Sequence, residues 1–309
     1  MAIIGAGAVG MRYAYSLMIK DLARSIVILD LNEQKAEGEV MDLNHGMPYV
    51  SPIEIASGQF PDLKGSDLVV ITCGAKQKPG QTRMDLINEN IKIFKNIIPQ
   101  VVKYAEDALF LVVTNPVDIL SYATYKISGK PWQQVIGSGT VLDSARFRYL
   151  FSRCSQVDSR NIHAYILGEH GDTEFPVWSK AMVGGMKLDK FCPVCYKCGN
   201  PEATRKNIFE EVKNSAYKII EKKGETSYGI GLAVVRITQA ILKDENAILP
   251  VSVLVNDYYD ISDVYLSVPS VVNKTGIREI LPIVLAKKEV DNLHRSADAL
   301  RTIISKSGF

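Results

Sequence analysis

Short runs of β-branched residues alternate with longer amphipathic stretches along the first half of the chain. The runs predict six strands, at Ala2–Ile4, Ile26–Asp30, Ile53–Ser57, Leu68–Cys73, Phe110–Thr114 and Val135–Ile136. Between them, stretches such as Asp85–Tyr104 carry apolar residues at helical spacing. Apolar strands separated by helices indicate a parallel sheet that helices cover on both faces. The predicted fold class is therefore α/β with a doubly wound parallel sheet.

The second half of the chain is less regular. It predicts strands at His163–Leu167 and Val264–Val268 and helices at Asn200–Lys222, Gly229–Leu242 and Lys287–Ser305. We expect the architecture to change near residues 137–140, where the sixth predicted strand ends. The predicted organisation is a first domain over residues 1–138 and a second, α+β domain over residues 139–309.

Composition and charge exclude several classes of protein. Lys and Arg number 36 against 34 Asp and Glu, and the basic residues form no stripe or cluster, which argues against nucleic-acid binding. No run of eighteen apolar residues occurs, so we expect no membrane span. The chain enters a glycine motif within its first five residues, so we expect no targeting peptide and a cytoplasmic protein.

Three of the five cysteines stand close together, at Cys192, Cys195 and Cys198. An odd count without an export signal indicates reduced thiols. A structural zinc site is the alternative, but it normally needs four ligands, and nothing in the sequence places Cys154 beside the other three. We therefore expect no metal.

The segment GAGAVG, at residues 5–10, follows the first predicted strand and opens a helix. In such a segment the first glycine permits a tight turn, the second admits a pyrophosphate, and the third allows close packing of helix on strand. The helix N-terminus offers free N–H groups to the phosphates. The segment predicts a dinucleotide site in a sheet of Rossmann type. A similar turn without a bound dinucleotide is the alternative.

Asp30 lies at the end of the second predicted strand, twenty residues after Gly10. A carboxylate there accepts hydrogen bonds from an adenosine ribose and repels a 2′-phosphate, which favours NAD over NADP. Gly74 and Asn115 directly follow the fourth and fifth predicted strands, at the strand ends where ligands bind in such sheets. The residues expected to contact NAD are Gly5, Gly7, Val9, Gly10, Asp30, Gly74, Ala75, Asn115 and Ser138.

Three clusters carry reactive side chains. Arg83 ends a polar loop with Pro and Gly, which we interpret as a mobile lid. Asp143 and Arg146 are three residues apart and share a helical face, whereas Arg148 points elsewhere. His170 stands between glycines after a predicted strand. Taken singly, each cluster has an ordinary structural interpretation; together on a nucleotide fold they indicate a catalytic set.

Eight motifs extend over essentially the whole chain: GAGAVG, ILDLN, MDLNHG, CGAKQKPGQTR, VTNPVDIL, IGSGTVLDSARFR, ILGEHGD and KGETSYGIG. With them the chain resembles the lactate and malate dehydrogenase family, above all its bacterial L-lactate dehydrogenases. The resemblance implies reversible hydride transfer between NADH and pyruvate, giving L-lactate and NAD. It also implies a homotetramer.

The resemblance assigns roles to the residues that match the family motifs. His170 would be the acid/base, and Asp143 would orient it and stabilise its imidazolium. Arg146 would hold the substrate carboxylate in a two-point fork, and Arg83 would polarise the carbonyl. The implied substrate-binding residues are Gln77, Arg83, Asn115, Arg146 and Thr226.

Gln77 favours pyruvate over oxaloacetate. Malate dehydrogenases of the family place an Arg at this position to pair with the second carboxylate, and a neutral Gln77 would leave that carboxylate without a counter-charge. Malate dehydrogenase activity is the alternative within the family. A non-catalytic structural or sensing protein is the alternative outside it, and the presence of His170, Asp143, Arg146 and Arg83 argues against that.

Arg148 and His163 match residues that bind fructose 1,6-bisphosphate at a subunit interface in allosteric relatives. At a two-fold interface these groups would repel one another until a bisphosphate neutralised them. The resemblance therefore implies activation by fructose 1,6-bisphosphate. Ordinary structural contacts of the two residues are the alternative.

Overall fold

The computed structural model describes residues 1–75, 80–195 and 200–309, with the backbone alone for residues 193–195. The strands are β1 (Ala2–Ile4), β2 (Ser25–Leu29), β3 (Glu54–Ser57), β4 (Leu68–Ile71), β5 (Leu109–Val112), β6 (Val135–Gly137), β7 (Ile162–His163), β8 (Ile166–Leu167), β9 (Phe175–Pro176), β10 (Met182–Val183), β11 (Met186–Lys187), β12 (Ala247–Val255), β13 (Val264–Asn273) and β14 (Gly276–Ile280). The helices are α1 (Ala8–Lys20), α2 (Glu33–His45), α3 (Arg83–Tyr104), α4 (Val117–Ser128), α5 (Val141–Ser155), α6 (Leu188–Cys195), α7 (Pro201–Lys223), α8 (Tyr228–Leu242) and α9 (Lys287–Lys306).

The largest sheet has nine strands in the order β14-β13-β12-β6-β5-β4-β1-β2-β3. Its six strands from β3 to β6 are parallel and follow the order typical of dinucleotide-binding folds. Every residue of β1, β4, β5 and β6 is buried, because helices cover both faces of the sheet. The predicted fold class is confirmed, and each predicted strand of the first half is found.

The second half of the chain continues this sheet, which the sequence did not predict. β12, β13 and β14 run antiparallel and extend it beyond β6. The junction is a single pair of residues, Ser252 of β12 opposite Gly137 of β6. The core is accordingly one apolar cluster that includes residues of both halves, such as Ile3, Phe110 and Tyr265. A smaller second cluster lies around Phe147 and Phe151 of α5.

The single strand predicted over His163–Leu167 is wrong. β7 pairs with β10, whereas β8 pairs with β9 in a different sheet. Tyr165 follows the β8–β9 register, because its carbonyl accepts a hydrogen bond from the Val177 N–H next to the Ile166–Pro176 pair. His163 and His170 are therefore not carried by one strand.

Two helix starts place the reactive residues predicted from the sequence. Thr82 caps α3 by accepting a hydrogen bond from the Asp85 N–H, which leaves Arg83 in the first turn. At the start of α5, the Thr140 hydroxyl donates to the Ile166 carbonyl of β8 at 2.5 Å. Across the described ranges, we find no helix long and apolar enough to cross a membrane.

Candidate active site

The loop that carries His170 is fixed to the large sheet just before the histidine. Gly168 and Ser267 of β13 exchange two backbone hydrogen bonds, each of 3.0 Å. Gly168 has a φ of +95°, and a Cβ there would lie 2.5 Å from the Ser296 hydroxyl oxygen. Only glycine therefore fits this position, and His170 follows two residues later at a defined place.

His170, Asp143 and Arg146 form one hydrogen-bonded group. The Nδ1 atom of His170 lies 2.7 Å from Oδ2 of Asp143. The other carboxylate oxygen of Asp143 accepts from Nη1 of Arg146 at 2.9 Å, within one turn of α5. The structure thus brings together the three residues that the sequence assigned to acid/base chemistry and carboxylate binding. Because Asp143 holds Nδ1, Nε2 is the ring nitrogen left for a substrate.

The charges around His170 favour its protonated form. Burial lowers the pKa of His170, but Asp143, and to a smaller extent Glu174 and Asp118, together outweigh burial and raise the pKa to about 9. Burial raises the pKa of Asp143, yet His170 and Arg146 hold it below its ordinary value. At neutral pH the group is an imidazolium beside a carboxylate, which is the form that can donate a proton to a carbonyl oxygen.

Glu174 is a second carboxyl group beside this pair, and the sequence analysis did not identify it. Its side chain is buried, with 4% of the residue exposed. One ligand atom each of Asp143, His170 and Glu174 lie within 4.8 Å of one another, as in a metal site. Burial and the charge of Asp143 raise the pKa of Glu174 to about 9 and His170 lowers it, so the protonation of this carboxyl and that of the imidazole depend on each other. A protonated carboxyl and the guanidinium of Arg146 favour a proton-sharing cluster over a cation there.

Asp118 holds the backbone of His170 and was also missed. Its Oδ2 atom accepts from the His170 N–H at 2.7 Å, and its Oδ1 atom accepts from the Ser252 hydroxyl at 2.5 Å. Burial raises the pKa of Asp118 to about 6, against the lowering effect of these two hydrogen bonds. The quoted motif VTNPVDIL contains Asp118, but its partners lie far away in sequence.

Arg83 lies against the residues on either side of His170. Its guanidinium pairs with Glu169 at 3.0 Å and with Asp172 at 2.8 Å, and nearly half of the Arg83 side chain is exposed. The predicted lid residue therefore belongs to the same site as the predicted acid/base. Gln77, on which the choice of substrate rested, lies outside the described residues.

The first glycine turn has the geometry that a dinucleotide requires. Gly5 has a φ of +114°, and its N–H donates to the Leu29 carbonyl at 2.7 Å. A Cβ on Gly7 would meet no described atom within 4 Å, so the backbone is open to a ligand there. No side chain in the described ranges caps α1, whose N–H groups face that space. These features, together with half-buried Val9 and the close-packed Gly10, fit the pyrophosphate of NAD.

Asp30 closes the same turn and lies beside an acidic cavity. Its carboxylate accepts from the Ala6 N–H at 2.7 Å. The cavity, of about 240 Å³, has four carboxylates in its lining, those of Asp30, Glu33, Glu37 and Asp62. A 2′-phosphate would meet strong repulsion there, whereas a ribose diol would find acceptors. The surroundings of Asp30 thus suit NAD.

Asn90 joins two of the predicted cofactor-binding segments. Its side chain is buried, and its Oδ1 atom accepts from the Ala75 N–H at 2.7 Å. Its Nδ2 atom donates to the Asn115 carbonyl at 3.2 Å. Asn90 therefore fixes the ends of β4 and β5 relative to each other. The helical spacing over Asp85–Tyr104 predicts the helix that carries Asn90 but not these two contacts.

Three other residues predicted for the site are Gly74, Ser138 and Thr226. Gly74 packs against Asn90 and Thr114, and the Ser138 N–H donates to the Val112 carbonyl at 2.8 Å. Thr226 lies between α7 and α8. The structure describes no contact that ties Thr226 to His170.

The predicted anion-binding pair lies on α5 and β7, two elements that contact each other. The Nε atom of Arg148 donates to the Ser144 carbonyl at 3.3 Å, so the side chain points away from Arg146. Burial lowers the pKa of Arg148, and the nearby Arg236 lowers it further. His163 is exposed. We find no hydrogen bond between Arg148 and His163 within the part of the chain that is described.

Two protein-family models match the chain nearly end to end. Residues 1–137 match the model of the lactate/malate dehydrogenase NAD binding domain, and residues 140–308 match that of the lactate/malate dehydrogenase alpha/beta C-terminal domain. An L-lactate dehydrogenase of Acetivibrio thermocellus is 53% identical over 98% of this chain and 96% of its own. L-lactate dehydrogenase 1 of Clostridium acetobutylicum is 52% identical over 97% of this chain and 96% of its own.

Solved structures agree with these relatives. A lactate dehydrogenase from a Medee basin deep-sea metagenome library superposes with a TM-score of 0.97 at 43% identity, covering 100% of this chain and 98% of its own. The minor L-lactate dehydrogenase of Enterococcus mundtii, in a ligand-bound form, gives a TM-score of 0.95 at 39% identity, covering 99% of this chain and 97% of its own.

Proposed function

Because the chain belongs to the lactate/malate dehydrogenase family, we propose that it interconverts pyruvate and L-lactate as an NAD-dependent oxidoreductase. The observation that carries this proposal is the hydrogen-bonded group of His170, Asp143 and Arg146. In this proposal His170 is the proton donor, Asp143 is the carboxylate that keeps it charged, and Arg146 receives the substrate carboxylate.

In pyruvate reduction, Arg146 binds the substrate carboxylate through its free guanidinium edge while Nη1 stays on Asp143. When bound, NADH would supply the hydride for pyruvate reduction, and NAD would accept it in lactate oxidation. As the carbonyl oxygen gains negative charge, Nε2 of His170 gives it a proton. Asp143 stabilises the imidazolium before this transfer, and His170 takes the proton back in lactate oxidation.

Arg83 polarises the carbonyl in this proposal. Its ion pairs with Glu169 and Asp172 hold the guanidinium next to the loop of His170 before substrate arrives. Substrate would compete with these carboxylates for Arg83, and Asn115 would donate to the same oxygen. Thr226 would line the pocket on the nicotinamide side.

The substrate is pyruvate rather than oxaloacetate because Gln77 carries no charge for a second carboxylate. The test is NADH oxidation with pyruvate and with oxaloacetate in parallel, for the unaltered protein and for Gln77→Arg. We expect a preference for pyruvate of at least about 100-fold, which Gln77→Arg reverses toward oxaloacetate. An unaltered protein that prefers oxaloacetate would be a malate dehydrogenase, and one inactive on both would be a non-catalytic relative.

Activation by fructose 1,6-bisphosphate is part of the proposal. Arg148 and Arg236 lie near each other, and the pKa of Arg148 is lowered, as expected of a cation that would gain from an anionic ligand. Pyruvate saturation curves with and without the bisphosphate test this. We expect a lower half-saturating pyruvate concentration in its presence and no such effect in Arg148→Gln; overlapping curves for the unaltered protein would contradict it.

We also propose a homo-oligomer, with the homotetramer implied by the resemblance. α1 and α8 pack against each other and expose large apolar side chains, namely Tyr15, Ile19, Tyr228 and Leu232. A second copy could cover this face. Light scattering coupled to gel filtration measures the mass directly, and a single-chain mass at assay concentration would rule the proposal out. The division of the chain between residues 138 and 139 is proposed on the sequence argument.

A further inference from the structure

Asp118 is a buried carboxylate that the chemistry described so far does not use. It is the second residue of α4, only 2% of it is exposed, and each of its oxygens accepts a hydrogen bond from a distant segment. One donor is the N–H of His170, 52 residues away, and the other is the hydroxyl of Ser252, 134 residues away.

Through these contacts Asp118 connects three parts of the site. It follows Asn115 by three residues, so its carboxylate is attached to the segment that carries that predicted oxygen ligand. Ser252 is the residue that joins β12 to β6. His170 lies on the loop that Gly168 fixes to β13.

We propose that Asp118 is a positioning residue that sets the place of His170 relative to the Asn115 segment and the sheet junction. The inference rests on the proposed function, because it matters only if His170 transfers the proton. A shift of about 1 Å in a reacting group can cost about 100-fold in rate, so the loss of a single positioning hydrogen bond can lower kcat measurably.

A carboxylate suits this place better than other polar side chains. Both donors need an acceptor, and burial leaves no water to replace one. The alanine variant would leave the His170 N–H and the Ser252 hydroxyl unpaired. In Asp118→Asn the amide oxygen can still accept from His170, and the amide N–H can donate to the Ser252 oxygen, because a hydroxyl can also accept. Asparagine therefore removes the charge and keeps the position.

The charge has an effect of its own through His170. The charged or titratable side chains around the imidazole come from α3, α4, α5 and its own loop: Asp118, Asp143, Arg146, Glu169, Glu174 and, paired to Glu169, Arg83 of α3. Removing one negative charge from this set makes the imidazolium less favourable. The alkaline limit of pyruvate reduction should then move to lower pH in Asp118→Asn while the rate at lower pH survives.

The experiment compares Asp118→Ala and Asp118→Asn with Glu289→Ala and Glu289→Gln. Glu289 is a matched control, since it is also a buried carboxylate that accepts a backbone N–H and a hydroxyl, those of Ser179. For each variant we would measure kcat and KM for pyruvate, NADH affinity by fluorescence, the kinetic isotope effect with NADH deuterated at the transferred position, and urea unfolding.

We expect Asp118→Ala to lose about 100-fold in kcat, with NADH affinity within about twofold and a larger isotope effect, because proton transfer out of position slows the chemical step. Asp118→Asn should retain more than about a tenth of kcat and show the lowered alkaline limit. The Glu289 variants should lose stability without these kinetic changes.

The inference would be overturned by Asp118→Ala with kcat unchanged, by Glu289→Ala with the same kinetic losses, or by Asp118→Asn with either a loss in kcat of more than about tenfold or an unaltered pH profile. If Asp118→Ala does not fold, Asp118→Asn decides alone. An unaltered protein that fails to reduce pyruvate would reject the proposed function instead, so the two failures are distinguishable.

Discussion

The charge on Asp143 sets the pH range in which His170 can donate a proton, and Asp143→Asn should reveal it. The carboxylate lies 2.7 Å from Nδ1 and is the main reason that the pKa of His170 rises to about 9 from its ordinary 6.5. Without it, burial opposes only the smaller raising effects of Glu174 and Asp118, and the pKa should return to about 6.5. The difference corresponds to about 3 kcal/mol of stabilisation of the imidazolium.

The consequence at pH 7.5 follows from the two pKa values. A group with a pKa of about 9 is about 97% protonated at that pH, and one with a pKa of 6.5 about 9%. The protonated form is the one that reduces pyruvate, so kcat/KM should fall at least about tenfold at pH 7.5. The loss should become smaller as the pH is lowered through 6.5.

The assay is kcat/KM for pyruvate between about pH 5.5 and 10. The unaltered protein should show an alkaline limb near pH 9, and Asp143→Asn a limb at least two units lower. Asp158→Asn is the control, because Asp158 is an exposed carboxylate paired with Arg160 and remote from the histidine in sequence. An alkaline limb that stays near pH 9 in Asp143→Asn would refute the electrostatic account of His170.

Three further predictions concern the cofactor, stability and the second carboxyl. Asp30→Ser should raise kcat/KM for NADPH relative to NADH by about tenfold or more, because it removes a charge that repels the 2′-phosphate; an unchanged ratio would count against the role of Asp30. Gly139→Ala should cost about 2–4 kcal/mol in urea unfolding, since φ is +52° and a Cβ would lie 2.5 Å from the Ser252 nitrogen; Gly65→Ala, with a φ of +78° but open space, should cost less. Glu174 has a raised pKa, so the folded protein holds a proton that the unfolded chain releases, and the free energy of unfolding should fall as the pH rises from about 4.5 toward 9. Glu174→Gln should make this fall less steep in urea unfolding measured across the pH range. An unchanged slope would show that Glu174 is ionised in the folded protein.

The parallel half of the fold could be predicted because its signals are local. Strands buried on both faces are continuous apolar runs, and the glycine turn requires its residues at consecutive positions. The pairing of Asp143 with Arg146 was predictable for the same reason, since a helix brings residues three apart onto one face.

The contacts that complete the site join residues far apart in the sequence, and no local pattern predicts them. Asp118 reaches His170 across 52 residues, and Arg83 reaches Glu169 across 86. Glu174 reads as a loop residue in the sequence, and only the packing of α5 against the loop shows that it is buried beside Asp143. The pKa values of these groups depend on that burial, so they too could not be read from spacing.

The junction between Gly137 and Ser252 has a consequence for how the chain can be made and cut. Strand β6 is an inner strand of the finished sheet, but its neighbour β12 is synthesised more than a hundred residues later. Until then β6 presents an open, apolar edge of the kind that pairs with other chains. A fragment that ends after residue 138 would keep that edge permanently. We therefore expect such a fragment to aggregate, however complete its nucleotide-binding turn.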